Sequence, residues 1–230
     1  MAMEFPGLPA RIDEVQRLIS ERQARAGWTH AVTVIAVTKT HGPEAVQAAV
    51  RAGLSAVGEN RVQEALAKQN LLPQLQVEWH LIGTLQRNKA RLAAGRFAVI
   101  HSVDRADLAT ELDRRHESDQ PQRILIQVNC SGEQQKGGVE PDGLPALLEQ
   151  IAALRKLRVA GLMTLAELSE DPGIPRAAFR KLRKLRDDAE RQGHRLPELS
   201  MGMSGDYLTA VEEGATMVRL GTLLFGERGI

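Results

Sequence analysis

A chain of 230 residues, 43% of them hydrophobic, suits one large α/β domain or two small ones, can build a sizeable core, and excludes a disordered chain. Lysine and arginine total 30 against 29 aspartate and glutamate, a net charge of +1, so whole-chain electrostatics give no reason to expect nucleic acid or an anionic membrane. The single cysteine, Cys130, excludes an internal disulfide and a multi-thiolate metal site, fits a reducing compartment, and reads as a small buried hydrophobe.

The start, MAMEFPGLPARIDEVQRL, has no basic region followed by an apolar core, and no long apolar span follows it. Neither a signal peptide nor a transmembrane helix is read, and the cytoplasm is the expected compartment. From about Leu8 to Ala26, Ile12, Val15, Leu18 and Ile19 recur at helical spacing, which predicts an amphipathic lead-in helix. The period then changes. VTVIAVTKT, Val32 to Thr40, is a near-continuous apolar and β-branched run, the pattern of a parallel strand covered on both faces, with Lys39 at its open end. Pro43 and Glu44 open a helix whose Val46, Ala49 and Val50 share a face until Gly53 stops it.

Strand and helix alternate from there. LSAVG, Leu54 to Gly58, predicts a second strand, and Asn60 is placed to cap a helix carrying Val62, Ala65 and Leu66 inward. Val77 to Gly83 is a third strand, followed by LQRNKARLAAG, and Phe97 to Val103 a fourth, leading into a helix that Asp104 is placed to cap. Arg123 to Asn129 is the fifth, after which Pro141 opens a helix with Leu144, Leu147, Leu148, Ile151 and Leu154. Leu157 to Met163 makes a sixth strand, a helix spans about Pro175 to Gln192, LPELSMGMS is a weak seventh strand, and Ala215 to Thr222 supplies the eighth. Eight strands separated by helices, with no linker between halves, are what a single (β/α)₈ TIM barrel requires, and such barrels typically take roughly 250 residues. A doubly wound open sheet is the structural rival.

In a barrel the functional positions lie at the carboxyl ends of strands, where this sequence places Lys39, Glu59, Asn60, His101, Asn129, Ser204 and Arg219, which should converge on one mouth. A lysine emerging from apolar walls is partly desolvated, and such an amine is nucleophilic toward a carbonyl, the requirement for a Schiff base; the alternative is a strand cap with its head in water. Ser204, read as the start of a helix, and Gly221 with Thr222 after the eighth strand make a phosphate cup where barrels often bind phosphate. Taken singly, Ser204 is also a good helix cap and Gly221 a turn glycine. Arg219, two residues before Gly221 on the strand, should point into the mouth, where a buried guanidinium needs a structural carboxylate or a ligand as acceptor.

AVTKT, GENRVQEALAK, WHLIGTLQRNK, HSVDR, LIQVN followed by QKGG, GLMTL, LSMGMSGDYLTAVEEGATMVRLGT and LFGER together resemble the pyridoxal phosphate (PLP) homeostasis protein family, which is related to the barrel domain of alanine racemase. The likeness covers about Val32 to Arg228. It implies one PLP-binding barrel domain over residues 1–230, with a Schiff base on Lys39, Arg219 facing the pyridine nitrogen, Ser204, Gly221 and Thr222 holding the phosphate, and Asn60 beside the cofactor. Thr38 stands where many members have serine and His41 where lysine is common, both read as changes at the pocket rim. PLP brings an aldehyde for the amine and a phosphate for the cup, so two independent needs of the residues meet in one ligand.

The remaining candidates read as structural. His80 and His101 lie on apolar strands without metal-ligand spacing, so each is a hydrogen-bonded core or rim histidine and no metal is expected. The basic run Arg176 to Arg195 carries Phe179, Leu182 and Leu185 at helical spacing, interrupted by Asp187, Asp188 and Glu190, the pattern of a solvated outer face rather than a nucleic-acid patch. Lys136, in the loop after strand five, reads as a solvated lysine, though a second amine near the mouth could compete for an aldehyde.

The expected role is holding or delivering PLP, with PLP-accepting apoenzymes as partners and little catalysis. The alternatives are a PLP-dependent amino-acid racemase or lyase and, more distantly, a cofactor-free Schiff-base aldolase. Two-base racemisation needs an acid/base on each face of the cofactor, and in alanine racemase the opposing tyrosine belongs to an added C-terminal domain and partner subunit. Here the sequence ends at Ile230 and its only tyrosine, Tyr207, is expected in the helix opened by Ser204, so a non-catalytic monomer is predicted.

Overall fold

Val34 to Val37 form an unbroken buried run, as an all-parallel strand flanked on both faces requires, and the other strands repeat this around a ring. The computed structural model describes residues 5–133 and 136–226. Among these residues the strands β1 (Thr33–Val37), β2 (Ala56–Glu59), β3 (Glu78–Leu81), β4 (Val99–Val103), β5 (Gln122–Gln127), β6 (Leu157–Met163), β7 (Glu198–Met203) and β8 (Met217–Leu220) are all parallel and close a barrel in chain order. β8 pairs with β1, Arg219 standing opposite Ile35 and Leu220 opposite Ala36. That closure is the (β/α)₈ barrel expected, and it sets the end of the chain's last strand beside Lys39.

The outer layer comprises α2 (Pro43–Arg51), α3 (Val62–Leu71), α4 (Ala90–Ala93), α5 (Ala106–Arg115), α6 (Leu144–Ala152), α7 (Gly173–Arg191) and α8 (Tyr207–Glu212). A lead-in helix α1 (Leu8–Ala26) buries Leu8, Ile12, Val15 and Ile19, and Arg11 Nε donates to the Leu224 carbonyl at 2.7 Å. The last helix, α9 (Thr222–Phe225), spans four residues, and α1 packs against both α8 and α9. The lead-in helix therefore covers the wall that the short last helix leaves open.

Alternate residues of each strand face inward. One set, Ile35, Ala56, Val99, Leu125, Ala160, Met163 and Met217, packs as an apolar plug inside the barrel, while a larger cluster fills the space between barrel and helices. The plug makes the barrel a packed core, so ligand chemistry is confined to its ends.

Several local expectations are corrected. Asn60 does not cap α3, because Arg61 occupies the cap position and no side-chain cap bond forms there. Arg105 likewise displaces Asp104 at the start of α5, where Asp104 instead accepts a 2.6 Å bond from Arg105 Nη1. Ser204 does not open α8, which starts at Tyr207 behind Asp206. The segment after β3 makes only a 3₁₀ turn (Arg87–Lys89) and the four-residue α4. Gln134 and Gln135, and Glu227 and Arg228 of LFGER, lie outside the described residues. No described helix is long and apolar enough to cross a membrane.

Candidate functional site

Parallel strands present their carboxyl ends at one rim, and there the residues after β1, β2, β3, β7 and β8 enclose a cavity of about 400 Å³. Its lining includes Lys39, Asn60, Ser204, Arg219, Gly221 and Thr222, so the structure brings together the six residues that the resemblance assigns to the cofactor. Two glycines make this rim possible. A Cβ on Gly83 would lie 2.3 Å from the Asn60 carbonyl oxygen, so only glycine lets the ends of β2 and β3 approach so closely. Gly202, at φ +94°, sits where the β7–β8 register shifts, and a Cβ there would fall 2.6 Å from that of Ala210.

Lys39 is half-buried just beyond β1. The next residue, Thr40, has φ 69°, and among the described residues it is the one non-glycine with positive φ. A β-branched residue there stores strain of about 1–3 kcal/mol, held by its surroundings. Beneath it lies a buried polar cluster. Lys68 Nζ donates to the Thr38 carbonyl at 2.8 Å and to Glu59 Oε1 at 2.5 Å, and the Thr38 hydroxyl donates to the same carboxylate oxygen at 2.6 Å. Thr38 is therefore buried under the rim rather than on it, and Glu59 faces α3 rather than the cavity. His41 does line the cavity, with its ring 5.6 Å from that of Phe5 and 5.3 Å from that of Phe225.

On the far side of β8, the backbone N–H groups of Gly221 and Leu223 converge on the Ser204 hydroxyl oxygen at 3.3 and 3.2 Å. Arg219 is 4% exposed and points into the barrel, its Nη1 donating to Ser200 Oγ at 2.5 Å and its Nη2 to the Thr164 carbonyl at 2.9 Å. Its structural acceptors are thus a hydroxyl and a carbonyl, not the carboxylate considered from sequence. Burial lowers its guanidinium to about 10, still charged at neutral pH.

The alanine racemase N-terminal domain family matches residues 12–229. Over 221 residues the chain is 46% identical to the pyridoxal phosphate homeostasis protein of Aquifex aeolicus, a match covering 95% of this chain and 97% of that one. The chain belongs to the pyridoxal phosphate homeostasis protein family. The structure of PipY from Synechococcus elongatus PCC7942 with PLP bound is 41% identical, with a TM-score of 0.79, covering 90% of this chain and 100% of that one. Alanine racemase from Corynebacterium glutamicum shares the fold at a TM-score of 0.74 and 19% identity, covering 96% of this chain and 62% of that chain.

Of the stretches that carry the resemblance, AVTKT, GEN, GMSG and RLGT all contribute to the cavity wall. Besides Glu59, two expected rim residues do not. His101 lies within β4 and bonds to His80 and Ser200 inside the barrel, and Asn129 holds its own loop, donating to the Glu133 carbonyl and Glu140 Oε1. Gln127, Leu165 and Met203 line the cavity without having been singled out; Gln127 was legible as the inward residue at the end of a predicted strand. Lys136 is not a free loop lysine, because its Nζ donates to the Ala166 carbonyl at 2.7 Å and pairs with Glu133.

The apolar face of α7 and the single cysteine are packed as expected. Phe179 and Leu182 of α7 are buried, and Arg176, Arg180 and Arg183 on the same helix pair with Glu212 and Glu213. Cys130 is buried, and burial pushes its thiol up to about 11. Among the described residues no group of three or more metal-ligating side chains comes together. Tyr207 is 6% exposed and packs beneath α1 and Leu223, away from the cavity lining.

Proposed function

We propose that this chain is a single-domain PLP carrier that holds the cofactor in the cavity at the carboxyl end of the barrel and serves intracellular PLP homeostasis. One observation carries the reading: Lys39, the buried Arg219 and the Ser204–Gly221–Leu223 donor group line or border one cavity large enough for a molecule of that size. When bound, PLP supplies an aldehyde to an amine and a phosphate to hydrogen-bond donors. Lys39 presents the amine, oriented by the strained Thr40 and by the Lys68 bond to the preceding carbonyl. The Ser204 hydroxyl, the Gly221 and Leu223 amides and Thr222 would hold the phosphate, Arg219 would donate to the ring nitrogen, and Asn60 would border the cofactor from the cavity wall. The relatives' homeostasis names and the PLP-bound PipY structure support this assignment.

In this reading the protein works as a cytoplasmic monomer and passes PLP to PLP-accepting apoenzymes, independently of nucleic acid and membrane. The near-neutral charge and the engagement of α7 arginines by Glu212 and Glu213 support it. A PLP-dependent racemase or lyase is the second reading, favoured by the fold shared with alanine racemase. Against it, the chain's one tyrosine packs away from the cavity lining, and Arg219, donating a hydrogen bond, discourages protonation of the ring. Purified PLP-loaded protein incubated with alanine in deuterated water decides between them. The carrier shows α-carbon exchange and racemisation no faster than free PLP; turnover well above that level, lost in Lys39→Ala, establishes the enzyme.

A further inference from the structure

Inside the barrel, below the cavity, β3, β4, β7 and β8 contribute the inward polar side chains His80, His101, Ser200 and Arg219. All are buried, and they form a continuous line. Arg219 Nη1 lies 2.5 Å from Ser200 Oγ, Ser200 Oγ 2.9 Å from His101 Nδ1, and His101 Nε2 2.8 Å from His80 Nδ1. His80 Nε2 is buried with no hydrogen-bond partner, 3.5 Å from Glu78 Oε2.

The arginine fixes the polarity of this line. A guanidinium only donates, so Ser200 accepts from it and has one proton left to give. His101 Nδ1 is the acceptor within reach, and a neutral imidazole that accepts there carries its own proton on Nε2. That proton goes to His80 Nδ1, which leaves the His80 proton on Nε2, directed at Glu78. The opposite polarity would turn an imidazole lone pair toward a carboxylate and leave the Ser200 proton without its ring acceptor.

We propose that Ser200, His101 and His80 are positioning residues that hold Arg219 as a fixed donor to a ring-nitrogen acceptor in the cavity, through a hydrogen-bond chain of single polarity. The chain is uncharged between Arg219 and Glu78. A carboxylate in place of Ser200 would neutralise the guanidinium, whereas a hydroxyl backed by two neutral imidazoles fixes its geometry and leaves its charge for the ligand. This inference rests on the reading of Arg219 given above.

Nitrogen-15 histidine spectra of the full chain, with and without PLP, test the polarity first. Both His80 and His101 are expected as neutral rings protonated on Nε2 at pH 7, and Ser200→Ala is expected to release His101 into a mixture of tautomers. A wild-type His101 protonated on Nδ1 overturns the chain. Affinity then tests its purpose, using PLP and its 1-deaza analogue, in which CH replaces the ring nitrogen. Loss of one buried hydrogen bond predicts that Ser200→Ala binds PLP about tenfold more weakly but the analogue unchanged. An equal loss for both ligands reveals a merely structural serine and overturns the positioning role. If the wild-type protein binds the two ligands equally, the ring-nitrogen reading of Arg219 fails and the positioning role falls with it, whatever the tautomers show.

Discussion

Lys68→Met removes a cation from the cluster directly beneath Lys39. Lys68 is 6% exposed and Glu59 fully buried, so the variant strands a carboxylate whose remaining hydrogen bond comes from the Thr38 hydroxyl at 2.6 Å. The other carboxylate oxygen, Oε2, already lacks a partner. Removing one member of a buried pair costs about 3–5 kcal/mol, because the surviving charge stays buried without its partner. Lys68→Met should therefore lose stability in that range in urea unfolding at pH 7, while Glu59→Gln/Lys68→Met, which strands no charge, should recover most of it. The same variant frees the Thr38 carbonyl, so Lys39 should react more slowly with PLP. A loss below about 1 kcal/mol, or a double variant as unstable as the single, would refute the reasoning, since either means that Glu59 is not held as a carboxylate by Lys68.

Two further outcomes follow from the same geometry. Ser204→Ala removes the hydroxyl on which the Gly221 and Leu223 amides converge, and should weaken PLP by about 1–3 kcal/mol in equilibrium titration while affecting pyridoxal, which lacks the phosphate, far less. Burial, aided by the nearby Arg219 and Arg123 charges, holds the His101 imidazole well below its usual 6.5. The unfolded chain then binds the extra proton, so this contribution is present above about pH 6.5 and is lost as pH falls through that value toward the folded pKa. Urea unfolding across pH 5 to 8 should give a slope shallower in His101→Gln than in wild type by up to about 1.4 kcal/mol per pH unit; identical slopes would show that His101 does not contribute.

The barrel was legible because its strands are short apolar runs punctuated by helix starts, and Lys39, Asn60, Ser204, Arg219, Gly221 and Thr222 were legible because strand ends in such a barrel share one rim. Interactions across the sequence were not. Lys68 sits in an amphipathic helix where a lysine reads as solvated, and its burial follows from Glu59 turning toward α3. His101 reads as a rim residue although the expected strand ends at Val103, as β4 does, because the bounds of a strand do not say which of its last inward side chains reaches the rim. The pairing of His80 with Val99 places His101, two residues farther along β4, on the same inward face, and that register cannot be taken from either strand alone. Asn60 and Asp104 have the right chemistry for helix caps, but Arg61 and Arg105 take those positions, leaving Asn60 in the cavity wall and Asp104 paired with Arg105.

The central claim is that Lys39 is the residue to which PLP attaches. Borohydride reduction of the native, PLP-loaded protein makes that bond permanent, and peptide mass mapping locates it. The cavity geometry predicts a pyridoxyl mass on Lys39, abolished in Lys39→Ala, with weaker, phosphate-dependent binding of PLP retained by that variant. A pyridoxyl mass on Lys136 or any other lysine of the wild-type protein, with Lys39 unmodified, would contradict it.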